Sequence, residues 1–424
     1  MKTLRALSPL LVFLCIYLLA SIVAQDFYKV PITVAFLVSS AYAVLTMSGS
    51  ITRRLKVFSE GAGHPDLMLM LWIFILAGAF AASAKEMGAV DATVALTLRL
   101  LPETFLLPGI FIASCVVSFA VGTSVGTIAA LTPVAVGIAD ETGLGVPFAV
   151  GIVVGGAYFG DNLSFISDTT IVATQSQGCR MSDKFRVNFR IVLPVALALT
   201  TIYYFMGKTA QIPADLEAVN VWKVLPYLSV IVCAVSGLNV MIVLLMGIVL
   251  TGIVGIADGS YDIFGLFQSM ADGMLAMSEL IIMTLLAGGM LAIIRHNGGI
   301  KAIINLLTRR VNSARGAEFC IAALVCLVNA CTANNTVAII TTGPIAQEIA
   351  QRFRIDPRKS ASLLDTTSCF TQGLLPYGAQ MLIAAGLASV SPAALLPYFY
   401  YPMALGVAVF LAILLRYPRK YSGR

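Results

Sequence analysis

Charged residues are scarce in this chain of 424 residues, at 11% of the sequence, and only two histidines occur, His64 and His296. A soluble protein of average composition has about 25% charged residues, which keep its surface in water. The shortage excludes ordinary soluble domains, disordered chains, coiled coils and nucleic-acid-binding proteins. The histidine count and the lack of any CxxC pair argue against a zinc site, a disulfide framework and a histidine-based triad.

Apolar residues, by contrast, are abundant: they make up 59% of the chain, and the mean hydropathy is +0.92. A bilayer core is crossed by a helix of about 20 apolar residues. The first such run follows Lys2 and Arg5 and resembles a signal peptide, but its length of about 18 residues favours a retained helix. Regular runs occur near 6–24, 30–49, 67–85, 187–207, 222–236, 238–256, 270–294 and 393–415.

Four further apolar stretches are too long or too interrupted for one regular helix. Stretches 104–139 and 317–350 are each expected to form a re-entrant hairpin, turning at Gly122–Thr127 and Cys331–Thr336. The other two, 147–175 and 357–386, contain the segments GDNLSFISD and TQGLLPYGAQ, whose Gly, Pro and polar residues predict unwound breaks. Backbone exposed at that depth must line a cavity inside the protein, because lipid cannot hydrogen-bond it. The fold class predicted is an all-α polytopic membrane protein with about ten transmembrane helices and two re-entrant hairpins.

Basic residues indicate the orientation, because cytoplasmic loops carry an excess of Lys and Arg. If the loops are assigned alternately to the two sides of the membrane, one of the two orientations places all but five of the 27 basic residues in cytoplasmic segments. Both termini are then cytoplasmic, and the expected location is the cell membrane, with the lipid bilayer as a partner and no nucleic acid. The cytoplasmic segments are 1–8, 50–65, 176–190, 295–316, 351–360 and 416–424.

The two halves of the chain resemble each other. Leu76–Gly88 aligns with Leu286–Gly298, and Pro147 aligns with Pro357. The predicted orientation makes these repeats inverted, an architecture typical of secondary transporters that bind substrate at broken helices near the midplane. The predicted division is 1–65 for N-terminal scaffold helices, 66–207 for the first repeat, 208–269 for linking scaffold helices, 270–415 for the second repeat and 416–424 for a cytoplasmic tail.

Acidic residues inside apolar segments are candidates for function, because a charge at the bilayer centre is costly. Asp161 and Asp168 flank the first break, where carboxylates, hydroxyls and freed carbonyls supply the oxygen ligands that hard cations such as Na⁺ prefer. A structural alternative for Asp168 is that it caps the following helix. Asp365 is an ion ligand, a proton site or a satisfied hydrogen-bond partner, and Glu279 is a weaker candidate.

The hairpin turns add hydroxyl and amide groups at helix N-termini, where either an anion or a cation could be held. Ordinary turn chemistry is the alternative explanation for these residues. The full set of predicted ion- and substrate-binding residues is Thr123, Ser124, Thr127, Asp161, Asn162, Ser164, Ser167, Asp168, Thr169, Asn334, Asn335, Thr336, Asp365 and Thr366, with Asp161 and Asp168 as the Na⁺ ligands.

The segment GDNLSFISDTT, from Gly160 to Thr170, resembles the GD-(K/N)-x-S-P-x-S-D-T-T signature of NhaC-type sodium/proton antiporters. The segment from Leu364 to Gly378 resembles that family's second-half motif. The resemblance implies a mobile transport domain that slides against a dimeric scaffold in an elevator motion. It also implies ion-site roles for Asp161, Ser164, Ser167, Asp168, Thr169 and Asp365. Phe165, Leu364 and Tyr377 depart from the family pattern, and the family includes malate/lactate exchangers, so the substrate stays open.

We therefore expect a sodium/proton antiporter that works by alternating access, in which Na⁺ and H⁺ compete for one carboxylate-rich site and no resident cofactor takes part. The alternative is a sodium- or proton-coupled exchanger or symporter of a small organic anion or amino acid, bound between the hairpin tips. The sequence shows no Arg or Lys at either tip or break to pair with a carboxylate solute, which favours the cation. A membrane-embedded enzyme would need a nucleophile–base pair or a metal motif, and neither is visible.

Overall fold

The computed structural model describes residues 32–164, 167–207, 220–236, 238–299 and 311–422, together with 6–9, 11–13, 15, 16 and 19. Within these residues helices predominate and no strand occurs, in agreement with the predicted all-α class. All eight cysteines are free thiols. Four of them, Cys115, Cys320, Cys331 and Cys369, are buried and serve as small packing residues.

Nine helices whose bounds lie within the described residues precede residue 208. They are α1 (Ile32–Thr46), α2 (Ile51–Ala62), α3 (Pro65–Glu86), α4 (Ala89–Leu100), α5 (Glu103–Val121), α6 (Ser124–Thr142), α7 (Val146–Leu163), α8 (Asp168–Gln177) and α9 (Met181–Met206). Ten described helices follow in the second half. They are α10 (Val221–Val235), α11 (Val240–Asp258), α12 (Ile263–Ala276), α13 (Ser278–His296), α14 (Ala314–Thr332), α15 (Asn335–Arg352), α16 (Pro357–Leu374), α17 (Ala379–Leu387), α18 (Pro392–Leu395) and α19 (Tyr400–Leu414).

Six described helical segments have the length and hydropathy to cross a membrane, and a seventh is added when the bent pair Pro357–Leu387 and Pro392–Tyr398 is counted as one span. The sequence predicted about ten. Three predicted spans appear as shorter apolar helices: 30–49 as α1, 222–236 as α10 and 393–415 as α19. Helix α5, within the predicted hairpin 104–139, is also shorter than a usual span. Nine of the 19 residues of the predicted span 6–24 lie outside the described residues.

Three predicted boundaries change. The turn between α5 and α6 is only Gly122 and Thr123, so Thr127 belongs to the first turn of α6. The predicted span 270–294 consists of α12 and α13, which meet at Met277. The predicted cytoplasmic segment 50–65 carries helix α2, which Ser50 caps by accepting a hydrogen bond from the backbone N–H of Arg53.

Backbone conformations recur 211 residues apart at the two helix–turn–helix tips. Gly122 has φ 73° and ψ 20°, and Ala333 has φ 51° and ψ 22°. The next residues, Thr123 and Asn334, are both extended, with φ of −146° and −145°. Ala333 is an alanine in a left-handed conformation that favours glycine, so the packing of the second tip holds a strained residue in place.

The same spacing recurs in a tertiary contact that holds each broken helix. Ser118 of α5 donates to the carbonyl of Ala157 in α7 at 2.5 Å. Asn329 of α14 donates to the carbonyl of Ser368 in α16 at 2.9 Å. Each helix–turn–helix is thereby fixed against the broken helix of its own half.

Helices of one half also pack against helices of the other half in pairs. Helix α2 packs against α13, and α12 packs against α3. At the first crossing Gly61 faces the backbone of Gly288, and at the second Gly78 faces the backbone of Gly273. Small residues let two helix backbones approach closely inside a membrane protein. Both crossings therefore depend on glycines, because a side chain at these positions would push the two helices apart.

We expect Gly78→Ala and Gly273→Ala each to destabilise the folded protein by roughly 1–3 kcal/mol, because the added Cβ would meet the facing backbone. Thermal unfolding of the detergent-solubilised protein measures the effect. Gly145→Ala is the matched control, since its Cβ would meet nothing within 4 Å. Equal unfolding temperatures for all three variants would show that the crossings are not close-packed.

Candidate functional site

A cavity of about 220 Å³ lies where both helix–turn–helix tips and both breaks come together. The first tip contributes Thr123 and Ser124, and the second contributes Asn334, Asn335 and Thr336. Nine predicted site residues line this one cavity, although the first and the last of them are more than 200 positions apart in the sequence. The remaining polar lining comes from Asp161, Ser167, Asp168, Thr169, Gln372 and Gln380.

Asp161 is the buried carboxylate of this cavity. It lies in the last turn of α7, where the helix ends at Leu163, and it is 4% exposed. The hydroxyl of Ser124 donates to Oδ2 at 2.9 Å, and the hydroxyl of Ser167 donates to Oδ1 at 2.5 Å. The first tip and the far side of the break thus each hold one carboxylate oxygen. Buried carboxylates require such donors, because desolvation without them is costly.

The far side of the break begins with Ser167, Asp168 and Thr169. Ser167 occupies the N-cap position of α8, so Asp168 lies one residue inside the helix rather than at the cap. A carboxylate in a first helical turn is stabilised by the helix dipole. Asp168 lines the cavity and is exposed, whereas Thr169 is buried with its hydroxyl 2.9 Å from that of Ser167.

Two glutamines connect the second half of the chain to Asp161. Gln372 donates to the carbonyl of Ala333 at 3.0 Å and to Gln380 Oε1 at 3.2 Å. Gln380 in turn donates to the Ser124 hydroxyl oxygen at 3.0 Å. Because that oxygen accepts from Gln380, the hydroxyl proton of Ser124 is donated to Asp161. The sequence analysis did not predict either glutamine as a site residue. Their place on either side of the second break, in TQGLLPYGAQ, was the signal that pointed to them.

Five predicted residues lie outside the cavity lining. Thr127 and Thr366 donate to backbone carbonyls four residues earlier in their own helices, those of Thr123 and Ser362. Asn162 donates to the carbonyl of Tyr158 at 3.0 Å and to the Tyr401 hydroxyl at 3.3 Å. Such bonds serve helix packing. Ser164 is buried at the C-cap of α7, and Asp365 is buried in α16.

Asp365 forms an ion pair that corrects the sequence analysis. Its Oδ2 lies 2.7 Å from Lys184 Nζ, and both side chains are at most 1% exposed. Lys184 also donates to the carbonyl of Asn162 at 3.1 Å and to the Thr170 hydroxyl at 2.5 Å. A lysine therefore does lie at the first break, and Asp365 is its partner. Asn188 adds a second donor to the same carboxylate oxygen, at 2.7 Å.

Lys184 was assigned to the cytoplasmic segment 176–190 because that segment carries several basic residues. Counting basic residues does not reveal that this side chain is buried: the chain turns at Gly178, and α9 begins at Met181. From there the buried residues recur at helical spacing, beginning with Lys184 and continuing with Val187, Asn188, Ile191 and Val192. The helical spacing of the residues in this charged segment was the sequence signal that could have shown the burial of Lys184.

We expect Lys184→Met to destabilise the protein by roughly 3–5 kcal/mol, because it leaves the Asp365 carboxylate buried without its counter-ion. Thermal unfolding in detergent measures the loss. Arg186→Met is the matched control, since the Arg186 side chain is 68% exposed. The double variant Lys184→Met/Asp365→Asn should recover much of the stability. A double variant no more stable than Lys184→Met alone would contradict the pairing.

Comparison with known proteins places this site in a family. A sequence profile of the Na⁺/H⁺ antiporter family matches residues 3–208 and 214–418. The malate-2H⁺/Na⁺-lactate antiporter of Bacillus subtilis (strain 168) is 23% identical, with 99% of this chain and 97% of that protein aligned. The Na⁺/H⁺ antiporter NhaC of the same organism is 23% identical over 84% of this chain and 85% of that protein.

Among solved structures, the YdaH transporter of Alcanivorax borkumensis aligns with a TM-score of 0.43 and 13% identity, covering 92% of this chain and 98% of that one. The resemblance to NhaC-type antiporters rests instead on the sequence profile, which covers nearly the whole chain, and on the NhaC relative. The protein belongs to the Na⁺/H⁺ antiporter family.

Proposed function

We propose that the protein is a secondary active transporter that exchanges Na⁺ for H⁺ across a membrane, with Asp161 as the group that both ions share. The observation that carries this proposal is the position of Asp161. It is a buried carboxylate at the wall of a cavity, held by hydroxyls from the first tip and from the far side of its own break. Membership of the Na⁺/H⁺ antiporter family supports the same chemistry.

The oxygen atoms at this point suit a bare cation. A Na⁺ ion entering the cavity would meet the Asp161 carboxylate and the hydroxyl oxygens of Ser124, Ser167 and Thr169. Hard cations prefer such oxygen ligands. Asp168, at the cavity surface, supplies a second negative charge that attracts cations to the entrance.

Competition between the two ions follows from the charge of Asp161. An ionised carboxylate attracts Na⁺, whereas a protonated carboxylate is neutral and offers little to hold it. Na⁺ binding therefore displaces the proton, and proton binding displaces Na⁺. Transport should rise with pH at limiting Na⁺, because fewer protons then compete for the site.

Alternating access would move this site between the two sides of the membrane. We propose that the two halves are inverted repeats and that the helix–turn–helix pairs are re-entrant hairpins, within a fold of about ten spans. The reciprocal packing of α2 with α13 and of α12 with α3 supports a two-fold relation between the halves. The proposed motion is an elevator movement of the tips and broken helices against a dimeric scaffold, in the cell membrane with cytoplasmic termini.

Within this proposal the division of the chain stays as predicted, with scaffold helices in 1–65 and 208–269 and repeats in 66–207 and 270–415. Na⁺ and H⁺ are cargo, and the mechanism needs no resident cofactor and no enzymatic step. The ordered Lys184–Asp365 pair fits a structural role, because it joins α9 to the broken helix α16.

A second candidate function is coupled exchange of a small organic solute. The cavity of about 220 Å³ has room for more than one Na⁺ ion, and four amide side chains line it: Asn334, Asn335, Gln372 and Gln380. Amides can hydrogen-bond a carboxylate or an amine. The similarity of this chain to a relative named as a malate-2H⁺/Na⁺-lactate antiporter supports this candidate.

A sodium gradient alone should drive proton movement in proteoliposomes that contain no organic solute, as followed with a pH-sensitive dye inside the vesicles. Lithium is expected to substitute for sodium and potassium is not. Asp161→Asn should reduce the flux to the level of empty vesicles, because the amide can carry neither the proton nor the negative charge that attracts Na⁺.

Asp140→Asn serves as the matched control, since Asp140 is an exposed acid at the far end of α6 and should leave the flux unchanged. Wild-type flux in Asp161→Asn would remove Asp161 from the mechanism. Proton flux that appears only after malate, lactate or an amino acid is added would replace sodium/proton exchange with the organic-solute candidate.

A further inference from the structure

A second polar cavity, of about 650 Å³, lies apart from the ion site. We call it the basic pocket. It is lined by Arg315, Arg352, Arg354 and Arg416, with Asn312, Ser313, Ala314 and Phe353 completing the wall. Four guanidinium groups and no carboxylate line it among the described residues, so the pocket is strongly electropositive.

Three separate segments of the chain build the basic pocket. Arg315 lies in the first turn of α14, Arg352 ends α15, and Arg416 follows the end of α19. Arg354 and Arg416 both adopt left-handed backbone conformations, with φ of 54° and 55°. Convergence from three helix ends brings together charges that repel one another, and an anion between them would offset that repulsion.

The two acids within three residues of the pocket's arginines along the chain, Asp356 and Glu318, are already paired. Asp356 Oδ1 lies 3.4 Å from Arg358 Nε. Glu318 lies one turn beyond Arg315 in α14, is buried, and has Lys359 Nζ 3.1 Å from its Oε2. Lys359 also donates to the carbonyl of Tyr417 at 2.7 Å, which ties the segment after Arg416 to the same place. Arg416 also interacts electrostatically with Glu318. The open positive charge of the pocket therefore comes mainly from Arg315, Arg352 and Arg354, which form no ion pair within the described part of the chain.

The pocket lies where an apolar surface ends. On α19, Phe410, Leu411, Leu414 and Leu415 are between 41% and 64% exposed, and Arg416 follows them directly. Exposed apolar side chains on a helix of this class face lipid tails, so the arginines lie at the level of the headgroups. All four arginines also belong to segments that the sequence assigns to the cytoplasmic side.

We propose that the basic pocket binds a phosphate group, supplied by the headgroup of an anionic lipid. Guanidinium groups recognise phosphate oxygens through paired N–H donors, and clusters of arginines near helix ends attract anionic headgroups. Free inorganic phosphate shares this chemistry. The lipid is the favoured source because the lipid-facing residues of α19 lead directly into the pocket.

The test uses the purified full-length protein and the variant Arg315→Gln/Arg352→Gln. Native mass spectrometry counts retained cardiolipin or phosphatidylglycerol, with phosphatidylcholine as the neutral comparison, and titration with inorganic phosphate forms a second arm. The control is Arg53→Gln/Arg186→Gln, which removes two exposed basic residues outside the pocket. All the substituted side chains are exposed, so the variants should fold, and size-exclusion chromatography verifies this.

We expect the pocket variant to bind anionic lipid about 25-fold more weakly than wild type, roughly fivefold for each arginine removed, and the control to remain close to wild type. Phosphate binding that is lost in the pocket variant without any lipid retention would support the phosphate site and overturn the lipid as its source. Equal retention of lipid and equal phosphate binding in the pocket variant and the control would overturn the proposal.

Discussion

A carboxylate buried inside a membrane protein must be hydrogen-bonded, and the arrangement around Asp161 follows from that constraint. Donors for both of its oxygens come from Ser124, at the first tip, and from Ser167, beyond the break in its own helix. Ser167 could not reach Asp161 if α7 continued as a regular helix, and Ser124 could not reach it if the tip lay elsewhere. The break and the tip therefore serve the same purpose: each places a hydrogen-bond donor on the buried carboxylate.

The second half of the chain completes this solvation from the opposite side. Gln380, at the start of α17, donates to Ser124, and Gln372 links Gln380 to the backbone of the strained residue Ala333. Movement of the second tip would therefore be transmitted through these hydrogen bonds to the Ser124 hydroxyl, which donates to Asp161. In the proposed mechanism this network would couple ion binding at Asp161 to the positions of both tips, which alternating access requires.

The two turns, the two helix breaks and the position of Asp161 beside the first break could be predicted from the sequence, because Gly, Pro and polar residues inside apolar runs are visible without coordinates. It missed Gln372 and Gln380, whose role depends on contacts across the repeat. It also did not predict the pair of Lys184 with Asp365, since counting basic residues cannot show that α9 turns this side chain inward. The number of spans was less predictable than the breaks, because short helices such as α10 and α19 fall below the usual length of a span.

Proton release during Na⁺ binding tests the central claim most directly. Purified protein in a weakly buffered solution is titrated with NaCl at several pH values, while a pH electrode or dye records protons and calorimetry records binding. Shared use of Asp161 predicts that Na⁺ binding releases protons, that its affinity weakens as the pH falls, and that Asp161→Asn abolishes the release. Na⁺ binding with unchanged affinity across the pH range and without proton release would contradict the account.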